Sequence, residues 1–139
     1  MKIIVPEIRQ ISLAETLPIR HKVMWPNKSI AYVQLPNDEE AFHFGLFLGE
    51  EIASIISIFE SNEEVQFRKF ATLDKYQGLG YGTILLNKII EVVHKKGVKK
   101  LWCNARSEKS KFYERFHLNP TGKNFMKGGI EYLIMEKKF

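Results

Sequence analysis

The sequence predicts an α+β fold in which helices flank one mixed β-sheet, with the element order β-α-β-β-β-α-β-α-β-β. Two strand-rich regions support this prediction: three apolar stretches between residues 42 and 73, and two more around Gly128 and Gly129 near the end of the chain. Between these regions, apolar residues recur at helical spacing over residues 84–93. Strands that occur in runs, with helices between the runs, are typical of an α+β architecture.

The first strand and the first helix are predicted from alternation and from proline positions. Residues 3–9 have the composition of a strand. Ser12 and Glu15 have the spacing of a capping box, but a helix starting there would hold Pro18 in its interior, at a cost of about 3 kcal/mol. We therefore expect the helix to start near Thr16, with Pro18 in its opening turn.

The later elements are delimited by turn residues. Gly97 follows a helix whose last turn is basic, and this predicts a helix end at that glycine. The Gly49-Glu50 and Ser61-Asn62 pairs are expected to be the turns between the three consecutive strands. The predicted elements are strands over residues 42–48, 52–59 and 65–73, a helix from Gly82, a central strand over 98–103, a helix over 109–117, and strands over 119–125 and 130–137.

Composition indicates a single globular domain over residues 1–139. The apolar share is 45% and the charged share is 27%, as in ordinary globular proteins. No apolar run is long enough to cross a bilayer, so we expect no membrane partner. Cys103 is the single cysteine, and the start of the chain has no export signal. These features favour a reducing, cytoplasmic setting.

The charge is distributed unevenly along the chain. Residues 1–74 contain 7 Lys or Arg and 11 Asp or Glu, whereas residues 75–139 contain 14 and 5. The second half therefore has a net charge of +9 within a total of +5. A basic half indicates an anionic partner, either a nucleic acid or a phosphorylated cofactor.

A glycine-rich loop at residues 77–82 is the most informative motif. It follows a strand and opens a helix, so free backbone N–H groups and the positive end of the helix dipole face one point, where phosphate binds. A Walker loop would end in Gly-Lys-Ser/Thr, but Thr83 and Ile84 follow Gly82 here. A dinucleotide fingerprint would need a glycine at position 83. A purely structural helix entry is the alternative.

The loop and two downstream motifs resemble the GNAT superfamily of N-acetyltransferases. The first motif is Gln77-x-x-Gly80-x-Gly82, which follows the predicted strand ending in residues 70–73. The second is a strand over residues 101–106 followed by a Phe-Tyr pair at 112–113. A weaker match lies at residues 122–132. The resemblance covers nearly the whole chain and implies a GNAT-like fold.

The resemblance also implies a binding mode for acetyl-CoA as co-substrate. Backbone groups of Phe70, Ala71 and Thr72 would pair with the pantetheine arm as an additional strand would. Asn104 would lie where the fourth and fifth strands part. Family members with a shorter spacing between this asparagine and the tyrosine place the asparagine at the position where this chain has Arg106. Loop and helix residues would hold the pyrophosphate: Gln77, Gly78, Leu79, Gly80, Tyr81, Gly82 and Thr83.

Tyr113 is the expected general acid. Transfer to an amine expels a thiolate whose thiol has a pKa of about 8.5 by analogy with cysteine, and a phenol can protonate it. An aromatic packing role is the alternative. The general base is open, because Phe67 and Leu101 occupy the positions where some family members carry a carboxylate. The remaining candidates are Glu63, Glu64, His43 and a chain of waters.

The acceptor is expected to be an amine of unknown identity. Arg20, His21 and Trp25 could line its pocket. Two other functions stay open: a nucleic-acid-binding domain that uses the lysines at 95, 96, 99 and 100, and a CoA-binding sensor without catalysis. Of these we favour the enzyme and expect no nucleic-acid partner, no metal, and a monomer or homodimer.

Overall fold

Seven strands and three helices follow one another in the predicted order. The computed structural model describes residues 4–139. Its elements are β1 (Glu7–Ile11), α1 (Leu13–Ile19), β2 (Phe42–Leu48), β3 (Glu51–Ser61), β4 (Glu64–Thr72), α2 (Tyr81–Lys95), β5 (Lys100–Arg106), α3 (Ser110–Glu114), β6 (Asn119–Lys127) and β7 (Ile130–Lys138).

The strands form one mixed sheet in the order β1-β2-β3-β4-β5-β7-β6. β4 and β5 run parallel to each other, because α2 connects them as a crossover, and the other neighbouring strands are antiparallel. The sheet therefore consists of an N-terminal meander and a C-terminal antiparallel unit that meet at the β4–β5 junction. No helix within residues 4–139 combines the length and the apolarity needed to span a bilayer.

The two faces of the sheet bury two separate apolar clusters. On one face, α2 and α3 pack against β3, β4 and β5 through residues such as Leu85, Ile89 and Phe116. On the other face, α1 packs through Ile19 against Ile55 and Ala71. The alternation of side chains along β4 is what separates these clusters. The gap between β4 and β5 thus has one face covered by α2 and α3 and another near α1.

The predicted start of α1 near Thr16 is wrong. The helix begins at Leu13 with Ser12 as its N-cap, and the capping box forms in full: Ser12 Oγ accepts from the Glu15 N–H at 3.2 Å, and the Glu15 carboxylate accepts from the Ser12 N–H at 2.9 Å. Pro18 therefore lies inside the helix. One helical hydrogen bond, from position 18 to the Ala14 carbonyl, is therefore missing, and π-helical turns over Arg20–Met24 follow the helix.

Most strand boundaries agree with the prediction within two or three residues, and β2 agrees at both ends. β1 begins at Glu7, later than predicted, and Ile3 lies outside the described residues. The turn between β3 and β4 is Asn62-Glu63 rather than Ser61-Asn62. Both of its residues have positive φ, 49° and 65°, and β3 consequently extends through Ser61. α3 is shorter than predicted, mainly because it ends at Glu114: residues 115–117 form a turn in which His117 has a φ of +63°.

Candidate active site

A gap between β4 and β5 is the central feature of the site. The two strands pair over three residues only, from Glu64 opposite Lys100 to Gln66 opposite Trp102. Beyond this point β4 continues against β3 up to Thr72, while β5 continues against β7 up to Arg106. The β5-facing edge of β4 past Gln66 therefore has no strand neighbour. Its backbone N–H and C=O groups are available to an extended ligand.

A β-bulge bends β4 at the gap. Arg68 lies opposite Ser57 and Ala71 lies opposite Ile55, so β4 uses three residue steps where β3 uses two. The extra residue is Lys69, whose φ is +54°. The bulge places Phe67 and Phe70 on the same face of the strand, where their rings meet edge to face with centroids 6.2 Å apart. Such a bulge increases the local twist and turns the strand away from its neighbour.

The glycine-rich loop joins the end of β4 to α2. The Gln77 side-chain amide donates to the Thr72 carbonyl at 2.9 Å and to the Asp74 carboxylate at 3.1 Å, and these bonds fix the loop to the strand. Gly78 and Gly80 have φ of +76° and +88°, and a Cβ atom at either position would meet nothing within 4 Å. Both glycines are therefore needed for the backbone conformation and face open space.

The N-terminus of α2 presents free amides beside β4. The first helical hydrogen bond runs from the Ile84 N–H to the Gly80 carbonyl, and Gly80 as N-cap has no side chain with which to cap the turn. The amides of Tyr81, Gly82 and Thr83 are thus left without helical partners, at the positive end of the dipole. A Cβ atom at Gly82 would lie 3.3 Å from Phe70 Cζ, so this turn packs directly against β4.

Tyr113 lies on α3, on the same face of the sheet. Its ring packs against Phe67 and Phe112 with centroid separations of 5.8 and 5.2 Å. Burial, with a smaller contribution from the neighbouring Cys103, raises the pKa of the Tyr113 phenol well above its ordinary value of 10.0. The hydroxyl therefore stays protonated at neutral pH and is able to donate a hydrogen bond. Burial also raises the pKa of Cys103, to about 12, which keeps that thiol neutral.

Asn104 lies on β5 two residues beyond the last β4–β5 pair, where the strands have parted as predicted. Its side chain does not share a face with Tyr113. Cys103 and Ala105 point into the cluster beneath α2 and α3, so alternation places Asn104 and Arg106 on the other face. The structure thus groups Phe70, the glycine loop and Tyr113 on one face and separates Asn104 from them.

The expectation that Arg20 lines an open acceptor pocket is wrong. Arg20 is fully buried and forms two hydrogen bonds with the Asp38 carboxylate, at 2.8 and 2.9 Å, and one with Ser57 Oγ at 3.0 Å. A guanidinium matches a carboxylate in this paired geometry, which favours burial of both charges. Arg20 therefore fixes residues 20–38 to β3. His21 is partly buried and bonds the Lys28 carbonyl through Nε2 at 2.6 Å.

His43 belongs to the same buried network and is not free to act as a base. Its Nε2 donates to the Asp38 carbonyl at 2.9 Å, which leaves Nδ1 to accept from the Ser57 hydroxyl at 2.7 Å. Glu63 and Glu64 lie at the start of β4, at the end of the strand away from Thr72, and Glu64 pairs with Lys100. None of these three side chains is placed at the gap as a general base, so the base stays open, with a chain of waters as the remaining candidate.

The lysine-rich segment after α2 does not form an open basic patch. Lys95 pairs with Glu91 at 2.9 Å, Lys96 with Glu60 at 3.8 Å, and Lys100 with both Glu64 and Glu136. Glu91 lies one helical turn before Lys95 on α2, whereas the tertiary structure brings Glu60, Glu64 and Glu136 from three strands to the other lysines. These ion pairs disfavour the hypothesis that the segment binds nucleic acid.

The gap in the sheet, with a glycine-rich loop and free helix amides at one end, is a site suited to an extended ligand that carries a phosphate group. The sequence model of the acetyltransferase (GNAT) domain family matches residues 20–139. The chain belongs to this family, and it is an acetyl-CoA-dependent N-acetyltransferase.

Individual relatives agree with the family in fold and extent. The chain is 28% identical to the uncharacterized N-acetyltransferase YitI of Bacillus subtilis strain 168, over 94% of this chain and 95% of that protein. A putative N-acetyltransferase from Lactobacillus plantarum has a similar crystal structure, with a TM-score of 0.86, 19% identity and coverage of 96% and 98%. A Bacillus subtilis acetyltransferase in complex with CoA gives a TM-score of 0.74 at 14% identity, with 99% of each chain covered.

The predicted family, fold, activity class and co-substrate are thereby confirmed. Sequence reasoning missed the roles of Asp38 and Ser57, whose partners lie far away in the chain, and it also missed Arg68 and Lys69. The last pair carried a signal that could have been used: two adjacent cations interrupt the apolar alternation of β4 in the middle of the strand.

Proposed function

We propose that the gap between β4 and β5 binds acetyl-CoA and that the acetyl group passes directly from sulfur to an acceptor amine within one ternary complex. The observation that carries this proposal is the unpaired edge of β4, which leads to the free amides of α2 at one end and to Tyr113 beside Phe67. The pantetheine arm would pair with the backbone of Phe70, Ala71 and Thr72. The pyrophosphate would bind at residues 78–83.

The transfer involves the acceptor nitrogen, the thioester and the Tyr113 hydroxyl. The acceptor nitrogen, once deprotonated, attacks the thioester carbon, so that an N–C bond forms and the C–S bond breaks. The departing thiolate takes a proton from, or is stabilised by, the Tyr113 hydroxyl, whose raised pKa keeps it protonated until this step. The proton lost by the amine leaves through water. Cys103 is buried and neutral, which argues against a covalent acetyl-enzyme on that thiol.

Matched glycine variants test the binding mode. Gly80→Ala and Gly97→Ala place the same methyl group at positive φ at the two ends of α2, where both positions face open space. The backbone penalty, about 1–2 kcal/mol, is therefore similar in the two variants. Only Gly80→Ala lies at the proposed phosphate site, so we expect it to weaken acetyl-CoA binding by about tenfold or more in calorimetry. Equal affinity in both variants would show that the loop has a structural role only.

A further inference from the structure

Three cationic side chains lie at or near the β4 bulge: Arg68, Lys69 and Lys127, hereafter the cationic cluster. Arg68 lies opposite Ser57, whose hydroxyl bonds Arg20, and so points to the face that residues 20–24 cover. Lys69 is the bulge residue itself. Lys127 ends β6 at the Gly128-Gly129 turn and is close enough to Lys69 to affect its titration.

The cationic cluster lies on the side from which an acceptor would approach. α2, the glycine loop and Tyr113 occupy one face of the β4–β5 gap, which is where the proposed function places CoA. An attacking amine must reach the thioester carbon from a direction that the CoA chain does not fill. On the opposite face, beside the segment of residues 20–38, the bulge carries two adjacent cations next to the unpaired edge of β4.

Within residues 4–139, no member of the cluster forms an ion pair. Asp38 is the carboxylate that faces Arg68 and Lys69, but it is held by Arg20 and by the Leu35 N–H at 2.7 Å. Arg68 and Lys69 are also partly withdrawn from water, whereas Lys127 is exposed. Burial, and then the positive charges of Arg20, Arg68 and Lys127, lower the pKa of Lys69 to about 8, and burial lowers the pKa of Arg68. At neutral pH Lys69 still carries its charge.

Partly buried like charges without a counter-ion are unfavourable, and natural sites keep such an arrangement where a ligand supplies the missing charge. An anion bound here would form charge-assisted hydrogen bonds with a guanidinium and one or two ammonium groups. The same positive field would favour the neutral form of a nearby amine, which is the nucleophilic form. An anionic group on the acceptor would therefore assist its binding, and it would partly offset this field at the amine.

We propose that the cationic cluster binds an anionic group of the acceptor, so that this acetyltransferase prefers small amines carrying a carboxylate or phosphate close to the amino group. The proposal rests on the proposed function, because it takes the gap between β4 and β5 as the transfer site. It names the chemical class of the acceptor, amino-acid-like or phosphoamine-like, which family membership leaves open.

Matched substrate pairs test this preference. Acetylation by the purified full-length chain is followed by mass spectrometry of the product, with L-phenylalanine against 2-phenylethylamine and phosphoethanolamine against ethanolamine. We expect the anionic member of at least one pair to have a kcat/KM higher by about tenfold or more, the gain typical of one charge-assisted hydrogen bond. The pair that shows the preference identifies carboxylate or phosphate as the source of the charge. Equal rates within both pairs would overturn the proposal.

Variants connect the preference to the cluster. Arg68→Gln and Lys69→Met should each bring the ratio of kcat/KM within the preferred pair close to one, and Arg68→Lys should retain part of it. Lys138→Gln removes an exposed lysine on β7 and serves as the control that keeps the parental ratio. An unchanged ratio in both Arg68→Gln and Lys69→Met would overturn the assignment of the preference to these residues.

A binding measurement separates this proposal from the proposed function. The melting temperature is measured with CoA alone and then with CoA and each amine. A shift caused by CoA alone tests the transfer site. A further shift by the anionic amines, reduced in Arg68→Gln, supports the cluster even where turnover is slow. If CoA stabilises the protein but the anionic amines add nothing beyond their uncharged partners and are not preferentially acetylated, the proposal on the acceptor is wrong while the transfer site stands.

Discussion

Tyr113 shows how the environment of a single residue defines its chemical capability. The ring is packed between Phe67 and Phe112, and burial keeps its hydroxyl protonated. A phenol with a raised pKa is a weak acid in the ground state. The thiol of the leaving group has a pKa of about 8.5, below that of the phenol, so the hydroxyl acts on the developing thiolate chiefly by donating a hydrogen bond in the transition state.

Tyr113→Phe therefore separates a catalytic role from a packing role. The ring and its contacts stay, so the melting temperature and the KM for acetyl-CoA should remain close to the parental values. The value of kcat should fall by about 10²-fold, the low end for a general acid. Steady-state kinetics with a working acceptor measures both constants. Turnover at the parental rate in a variant that binds CoA would assign Tyr113 to packing alone.

The charge state of Lys69 gives a prediction on pH. The pKa of Lys69 is about 8 in the folded protein and has its ordinary value of 10.5 in the unfolded chain. Lys69 therefore binds fewer protons in the folded state, so its contribution to stability increases with pH between these two values. Lys69→Met removes this penalty. The variant should have a higher melting temperature than the parent at pH 7, and the difference should disappear near pH 10.5. A constant difference across this range would mean that Lys69 acts through packing and not through charge.

At the scale of elements, the buried network joins the segment after α1 to the sheet. Burial alone would raise the pKa of Asp38, but hydrogen bonds from Arg20 and from the Leu35 N–H outweigh this effect, and the pKa is lowered. The pair holds residues 20–38 over the same face of β3 and β4 that carries the cationic cluster. Its loss should therefore affect both stability and the acceptor side of the site.

Asp38→Asn leaves Arg20 as an uncompensated buried charge, and this typically costs about 3–5 kcal/mol. Urea unfolding at pH 7 should show this loss, whereas Glu7→Gln, which breaks the exposed pair with Arg9, should change stability little. Because the folded pKa of Asp38 is lowered, its contribution is complete above the ordinary value of 3.8 and is lost as the pH falls through the folded value. The difference between parent and variant should therefore shrink below pH 4. A full difference that persists in acid would contradict the ion-pair explanation.

At the scale of the whole molecule, the lysines of the basic half of the sequence, residues 75–139, have two kinds of surroundings. Several of its lysines pair with acidic residues of other elements, whereas the charge of Lys127 acts on Lys69 at the bulge of β4. The net charge of +9 in residues 75–139 therefore overstates the free positive surface.

CoA and acetyl-CoA should stabilise the folded protein because they bind the native state and not the unfolded chain. At a concentration of 100 times the dissociation constant the gain is about 2.7 kcal/mol, which a thermal-shift measurement detects readily. ATP and NAD should give much less, since they lack the pantetheine arm that would pair with β4. Similar stabilisation by all three ligands would indicate a general anion site and would contradict the proposed binding mode.

The sequence by itself determined the order of the elements, the glycine loop before α2 and the family. These features depend on local rules: turn residues, helical periodicity, and backbone conformations that glycine adopts most readily. Local rules also explain the one clear error in the fold. The penalty for an interior proline predicts a start near Thr16, whereas in the structure the capping box of Ser12 and Glu15 forms and Pro18 lies inside the helix.

Only the tertiary structure decided which side chains share a face of the sheet. The bulge at Lys69 shifts the alternation of β4 by one residue, so that Phe67 and Phe70 lie together and Arg68 points towards Arg20 and Asp38. The separation of Asn104 from Tyr113 likewise depends on which residues of β5 are buried beneath α2 and α3. Side-chain direction in a strand has a period of two, and one inserted residue reverses it for all that follow. The sequence alone does not show that β3 has no residue opposite Lys69, because the register of two strands is set by long-range pairing and packing.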